Sequence, residues 1–198
     1  MQLFSRAKFP IFFLFFSTFI AFVNGDDEYQ STQLRVQELF GKFKSSVVRV
    51  KATRIQDVDE NAKRILKMGS GFFVSKDGHV LTTGLLPKAD RVWIEHNKEY
   101  FLAETLGSDS LCNLSLLKTF EKPKDFNFVS FSGNDTDVLP GTFLLGLTYA
   151  LEFEISPTLG IMQSSESTFG RNLFPTKMLR TSLALGPGEV GAPVFDLN

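Results

Sequence analysis

Hydrophobic and polar positions change rhythm along the chain. Residues 9–23, "FPIFFLFFSTFIAFV", form an apolar run with no charge in it. Over residues 26–46 apolar side chains fall at Leu34, Val36, Leu39, Phe40 and Phe43. That is close to helical spacing and predicts one short amphipathic helix. Beyond it the period shortens. "SVVRVKAT", "GFFVSK", "GHVLTT", "RVWIEH", "EYFLAETL", "NLSLLKTF", "FNFVSFS", "GTFLLGLT", "SPTLGIMQS", "KMLRTSL" and "APVFDL" read as short strands. Turn signals at Lys76-Asp77-Gly78, His96-Asn97-Lys98 and Gly133-Asn134-Asp135 separate them. Many short strands at even spacing predict an all-β sandwich or barrel. "EKPKDF", residues 121–126, is the candidate linker. The expected organisation is residues 1–25 as a leader, 26–44 as a helical segment, 45–120 as a first β unit and 121–198 as a second.

Composition narrows the picture. With 198 residues, 43% hydrophobic and 22% charged, the chain can bury a core and is not a disordered tail. A formal net charge of -1 supplies no general pull toward nucleic acid or anionic lipid. Arg6 and Lys8 precede the apolar run, and Val23 and Gly25 close it, which is the plan of a secretory signal cleaved before Asp26. The run falls short of the roughly 20 residues that span a bilayer. The expectation is therefore a secreted product with no membrane association after cleavage; an uncleaved anchor is the alternative.

One cysteine, Cys112, rules out an internal disulfide and a cysteine-based metal cluster. Its simplest reading is a small buried residue. No carboxylate pair, phosphate loop or metal-ligand spacing stands out, so no cofactor and no metal are expected. His79 and His96 both adjoin turn signals and are expected to be solvated turn residues. Two glycosylation sequons occur. Asn134, in a turn, is a plausible acceptor. Asn113, in an expected buried strand, is a poor one.

Three stretches then follow in order: "GSGFFVSKDGHVLTTGLL" (69–86), "LGSDSLCNLSLLK" (106–118) and "ALGPGEVGAPVFDLN" (184–198). They resemble the segments that carry the histidine, aspartate and serine of HtrA/Deg-type serine proteases. The resemblance runs from about residue 45 to the C-terminus. It implies a trypsin-like double six-stranded β-barrel behind a short N-terminal helix, with residues 45–120 and 121–198 as the two barrels. The second barrel is expected to be incomplete. The family continues past the serine segment into a substrate-pairing strand and often a PDZ domain, whereas this sequence stops at Asn198.

The same resemblance implies a site. The histidine position holds Leu85, the aspartate position Asn113 and the serine position Val190. None of these side chains can perform its part of a Ser-His-Asp set. Losing the nucleophile or base alone costs about 10⁶ in kcat. What remains is the oxyanion hole, here the backbone of Gly188 and Val190, worth roughly 10³ to 10⁴ over water. Asn113 would keep the shape of an aspartate without a buried unpaired charge. Leu85 and Val190 would pack together across the inter-barrel cleft. The expectation is thus a chain with no catalytic residues that is not an enzyme. It would act by binding, as a partner or regulator of active relatives. Homo- or hetero-oligomers with related proteases are the expected assemblies, with residues 30–43 as a candidate surface. The alternatives are a serine-type endopeptidase, as the family implies, and a degenerate remnant.

Overall fold

A computed structural model describes residues 27–58, 61–84, 89–131, 138–164 and 179–197. The expected leader, Leu85 and Asn134 lie outside the described residues.

The chain enters through helix α1, Asp27–Phe43. Val36, Leu39, Phe40 and Phe43 recur at intervals of a helical turn and form its packed stripe. Phe43 stacks on Phe195 with ring centroids 4.5 Å apart. A 3-10 turn at Lys44–Ser46 ends the helix, and the Ser46 hydroxyl donates back to the Phe43 carbonyl at 2.6 Å.

Six strands follow: β1 Val47–Val58, β2 Asn61–Phe73, β3 His79–Thr83, β4 Arg91–His96, β5 Glu99–Asp109 and β6 Leu114–Thr119. They close into a barrel in the order β1-β2-β3-β6-β5-β4. Val48, Val50 and Ala52 of β1 meet Phe73, Val80, Val92, Ile94, Ala103 and Leu117 in its core. Alternation places Val47 on the opposite face of β1, where it packs with Leu39, Leu145, Leu147 and Tyr149. Burial on both faces explains why "SVVRV" opens with consecutive valines.

The remaining strands are β7 Phe143–Thr148, β8 Ser156–Ser164, β9 Arg180–Thr181 and β10 Val194–Asp196. Among the described residues they form an open four-stranded sheet in the order β10-β7-β8-β9. A closed first barrel, one N-terminal helix and an unclosed second sheet agree with the expected fold class.

Two strand expectations need correction. β1 and β2 run on as a long hairpin, paired from Val47↔Phe72 to Val58↔Asn61. The short β-rich runs end the first at Thr53 and begin the second at Gly71. The extension lacks clean alternation because Ile55 and Leu66 are exposed on it. "FNFVSFS" joins no sheet within residues 126–131. Phe126 and Val129 are partly buried, while Phe128 and Phe131 are exposed. Phe126 lies 4.3 Å from the ring of Phe73, and the Val129 amide donates to the Phe73 carbonyl at 2.8 Å.

Candidate functional site

The turn 186–191 is seated where the barrel meets the second sheet, and two glycines make the seating possible. Gly188 has φ +88° and Gly191 φ +93°, a region that side chains rarely adopt. A Cβ at Gly188 would stand 2.4 Å from the Leu151 nitrogen, and one at Gly191 would stand 2.4 Å from the Ser70 carbonyl oxygen. The turn therefore touches the β7–β8 loop on one side and the barrel on the other.

Ser70, on β2, is the buried post between them. Its amide donates to the Val190 carbonyl at 2.9 Å. Its hydroxyl accepts from the Tyr149 amide at 2.9 Å and donates to the Gly188 carbonyl at 3.0 Å. Thr82 of β3 donates to the Ser70 carbonyl at 2.6 Å. Glu189 is the second anchor and is only 8% exposed. One carboxylate oxygen accepts from the Thr148 hydroxyl at 2.7 Å. The other accepts from the Gly186 amide. A buried carboxylate with both oxygens occupied by donors is a satisfied group.

The second stretch, 106–118, is tied to the first through Gly84. Its amide donates to the Asn113 carbonyl at 3.0 Å, and a Cβ there would meet Asn113 Oδ1 at 2.9 Å. Asn113 follows a turn capped by Asp109, whose carboxylate accepts from the Leu111 amide at 2.8 Å and the Cys112 amide at 3.1 Å. Those bonds, the one from Cys112 foremost, hold the Asp109 carboxyl below its ordinary range.

Several residue-level expectations change here. Asn113 is exposed and has φ +53°, so it belongs to a turn and not to a buried strand. Asparagine tolerates that conformation better than most residues. The burial argument against Asn113 as a glycan acceptor and for a neutral aspartate mimic loses its basis. Val190 is 45% exposed, so its side chain is not sealed in an apolar cleft. Cys112, expected to be buried, is half-buried in the turn before β6. His79 opens β3 and shares a 2.7 Å hydrogen bond with the Ser75 hydroxyl.

His96 ends β4 and is 2% exposed. Its Nε2–H donates to the Ser45 carbonyl at 2.9 Å, since a carbonyl can only accept. Burial pushes its pKa below 6.5, against the pull of that bond and of Glu99. A histidine beside a turn signal looks solvated in sequence; this one is buried against the Phe73 ring and the Ser45 backbone.

The sequence reading missed Ser70, Glu189, Tyr149 and Arg49. Ser70 stood in plain view between Gly69 and Gly71, and Glu189 inside the quoted turn, but neither had a visible partner. Among the described residues, no group of three or more His, Cys, Asp and Glu could hold a metal ion. No described helix is long and apolar enough to cross a membrane.

Residues 69–198 match a family described as the trypsin-like peptidase domain. The chain is 31% identical over 134 residues to a probable periplasmic serine endoprotease DegP-like of Marinomonas sp. (strain MWYL1), covering 66% of this chain and 28% of the relative. It is 30% identical over 133 residues to the protein of the same description from Hahella chejuensis (strain KCTC 2396), covering 66% and 27%. The chain thus spans little more than a quarter of these relatives. An HtrA-type protease solved with a tripeptide shares the fold, with TM-score 0.65 and 19% identity, over 82% of this chain and 50% of that one. These matches correct the expectation that the chain is not an enzyme. The family is a peptidase domain, and the relatives are named serine endoproteases.

Proposed function

The chain belongs to the trypsin-like peptidase family, and from that premise we propose that it serves serine-type endopeptidase function of the HtrA/DegP kind, outside the cytoplasm, on extended polypeptide. The observation that carries this reading is the turn 186–191, held by Ser70 and Glu189 between the barrel and the second sheet. In this reading the backbone N–H groups of Gly188 and Val190 receive the carbonyl oxygen of a bound peptide. Fixed donors of that kind stabilise the negative charge that grows on the oxygen.

Leu85, Asn113 and Val190 occupy the positions where the resembling family carries histidine, aspartate and serine. Valine has no lone pair, so the electron pair that attacks the carbonyl must come from a group other than side chain 190. The periplasmic relatives and the leader-like plan of residues 1–25 support a place outside the cytoplasm. A second reading is polypeptide binding alongside related proteases. It draws on the half-exposed apolar Val190 at the centre of the turn.

The test uses the purified full chain with fluorescent casein, followed for both turnover and binding. Turnover above that of a heat-inactivated control is the expected result. Binding without turnover would sink the endopeptidase reading in favour of the second. Neither binding nor turnover would sink both.

A further inference from the structure

Arg49 is a buried cation that the proposed site does not use directly. It lies on the outer face of β1, 4% exposed. Its guanidinium donates to the Glu95 carboxylate of β4 and to the Phe153 carbonyl. It also covers the Tyr149 ring at 4.7 Å from the centroid. Lys51, two residues on, stands 3.1 Å from the other Glu95 oxygen and 3.0 Å from Glu152. One barrel strand therefore grips both ends of the loop between β7 and β8.

That loop needs a grip. The Phe153 amide donates to the Ala150 carbonyl at 2.9 Å, closing a tight turn. Leu151 inside it has φ +47°, which costs a non-glycine residue of order 1 kcal/mol or more. The loop's Leu151 nitrogen is the atom against which Gly188 is fitted, and the Tyr149 amide bonds the same Ser70 hydroxyl that holds Gly188.

Stability alone is a weak reason for such a cluster. Buried ion pairs are often no more stabilising than apolar residues of the same size. Among the described residues the Arg49 Nε also has no hydrogen-bond partner. What the planar fork does supply is direction: two acceptors on different parts of the chain held in one plane.

We propose that Arg49 is a positioning residue for the turn 186–191: by gripping Tyr149 and Phe153 it sets the loop against Gly188 and so fixes the Gly188 and Val190 amides. The functional meaning of those amides rests on the peptide-binding reading above; their fixing by Arg49 does not. The test is hydrogen–deuterium exchange on the full chain without substrate, comparing wild type with Arg49→Lys and Arg49→Met. Lysine keeps a charge against Glu95 but cannot also span to Phe153. The expected result for Arg49→Lys is exchange at least about tenfold faster across 149–155 and 186–191, with Val80, Ala103 and Leu117 of the barrel unchanged. Arg49→Met should show the same pattern, more strongly. If Arg49→Met does not fold, Arg49→Lys alone decides. Unchanged exchange in the turn, or acceleration shared equally by the barrel, would overturn the proposal. Loss of casein binding by wild type would sink the functional reading and leave this one standing.

Discussion

At Gly191 a side chain has no space and the backbone has the wrong sign of φ for one. The Ser70 carbonyl, the Thr83 amide and the Thr82 hydroxyl all lie within 3 Å of a Cβ placed there. Gly191→Ala is expected to destabilise the protein by more than about 2 kcal/mol, combining backbone strain with a clash against barrel backbone. Urea denaturation would measure this, and a loss below about 0.5 kcal/mol would show that the turn is not seated as described. The neighbouring Val190 is half-exposed. These contrasts bear on what sequence could reveal. The glycine spacing of "GPGEVGAP" marked a fixed turn, because only glycine fits a positive φ cheaply. The exposure of Val190 and Asn113 could not be read from their identities, since it depends on where the fold seats their turns, Val190 against Ser70 of β2 and Asn113 against Gly84.

Among elements, helix α1 shows how little of its stability is local. Its packed stripe lies against Val47, Leu145, Leu147 and Tyr149 from other elements. Leu39, at 5% exposure, sits at the centre of that contact. Leu39→Ala is expected to cost about 2–4 kcal/mol through a cavity in this second core. A thermal melt checks it; a midpoint within error of wild type would mean that the helix does not dock. Helical spacing made α1 legible in advance. β1 was legible only in its first half, where both faces are buried. Its continuation pairs with β2 beyond the barrel core and leaves Ile55 and Leu66 exposed, so periodicity had little to report. "FNFVSFS" misled for the converse reason: Phe126 packs on the barrel core while Phe128 and Phe131 stay exposed, and the stretch joins no ladder.

For the molecule as a whole, His96 and Glu95 tie stability to acid pH, and the depressed Asp109 carboxyl adds to the lower of their two steps. His96 has a pKa below its ordinary 6.5, chiefly from burial. Its neutral form is favoured in the fold, so its contribution is fully present above the unfolded pKa. That contribution is lost as pH falls from 6.5 through the depressed folded value. Burial alone would push the Glu95 carboxyl up, but hydrogen bonds and charge from Arg49 and Lys51 outweigh it and hold the pKa below 4.5. Its contribution is present above 4.5 and lost as pH falls through the lower folded value. Unfolding free energy should therefore fall in two acid steps, the first beginning near pH 6.5. His96→Gln, whose amide can still donate to the Ser45 carbonyl, should remove the first step and leave the second. Denaturation titrated from pH 8 to 3 reads both, and a first step that survives in His96→Gln would refute the assignment.

By itself the sequence determined the kind of fold: a helix, a set of strands, and a glycine-marked turn shared with a peptidase family. Those depend on periodicity and on backbone constraints that act over a few residues. Only the tertiary structure decided which polar groups are buried and what they hold. Ser70, Glu189, His96 and Arg49 each acquire a role from partners on other elements. The physical reason is that burying a polar group or charge is favourable only with its partners in place. Those partners are brought together by chain topology, which no local pattern records.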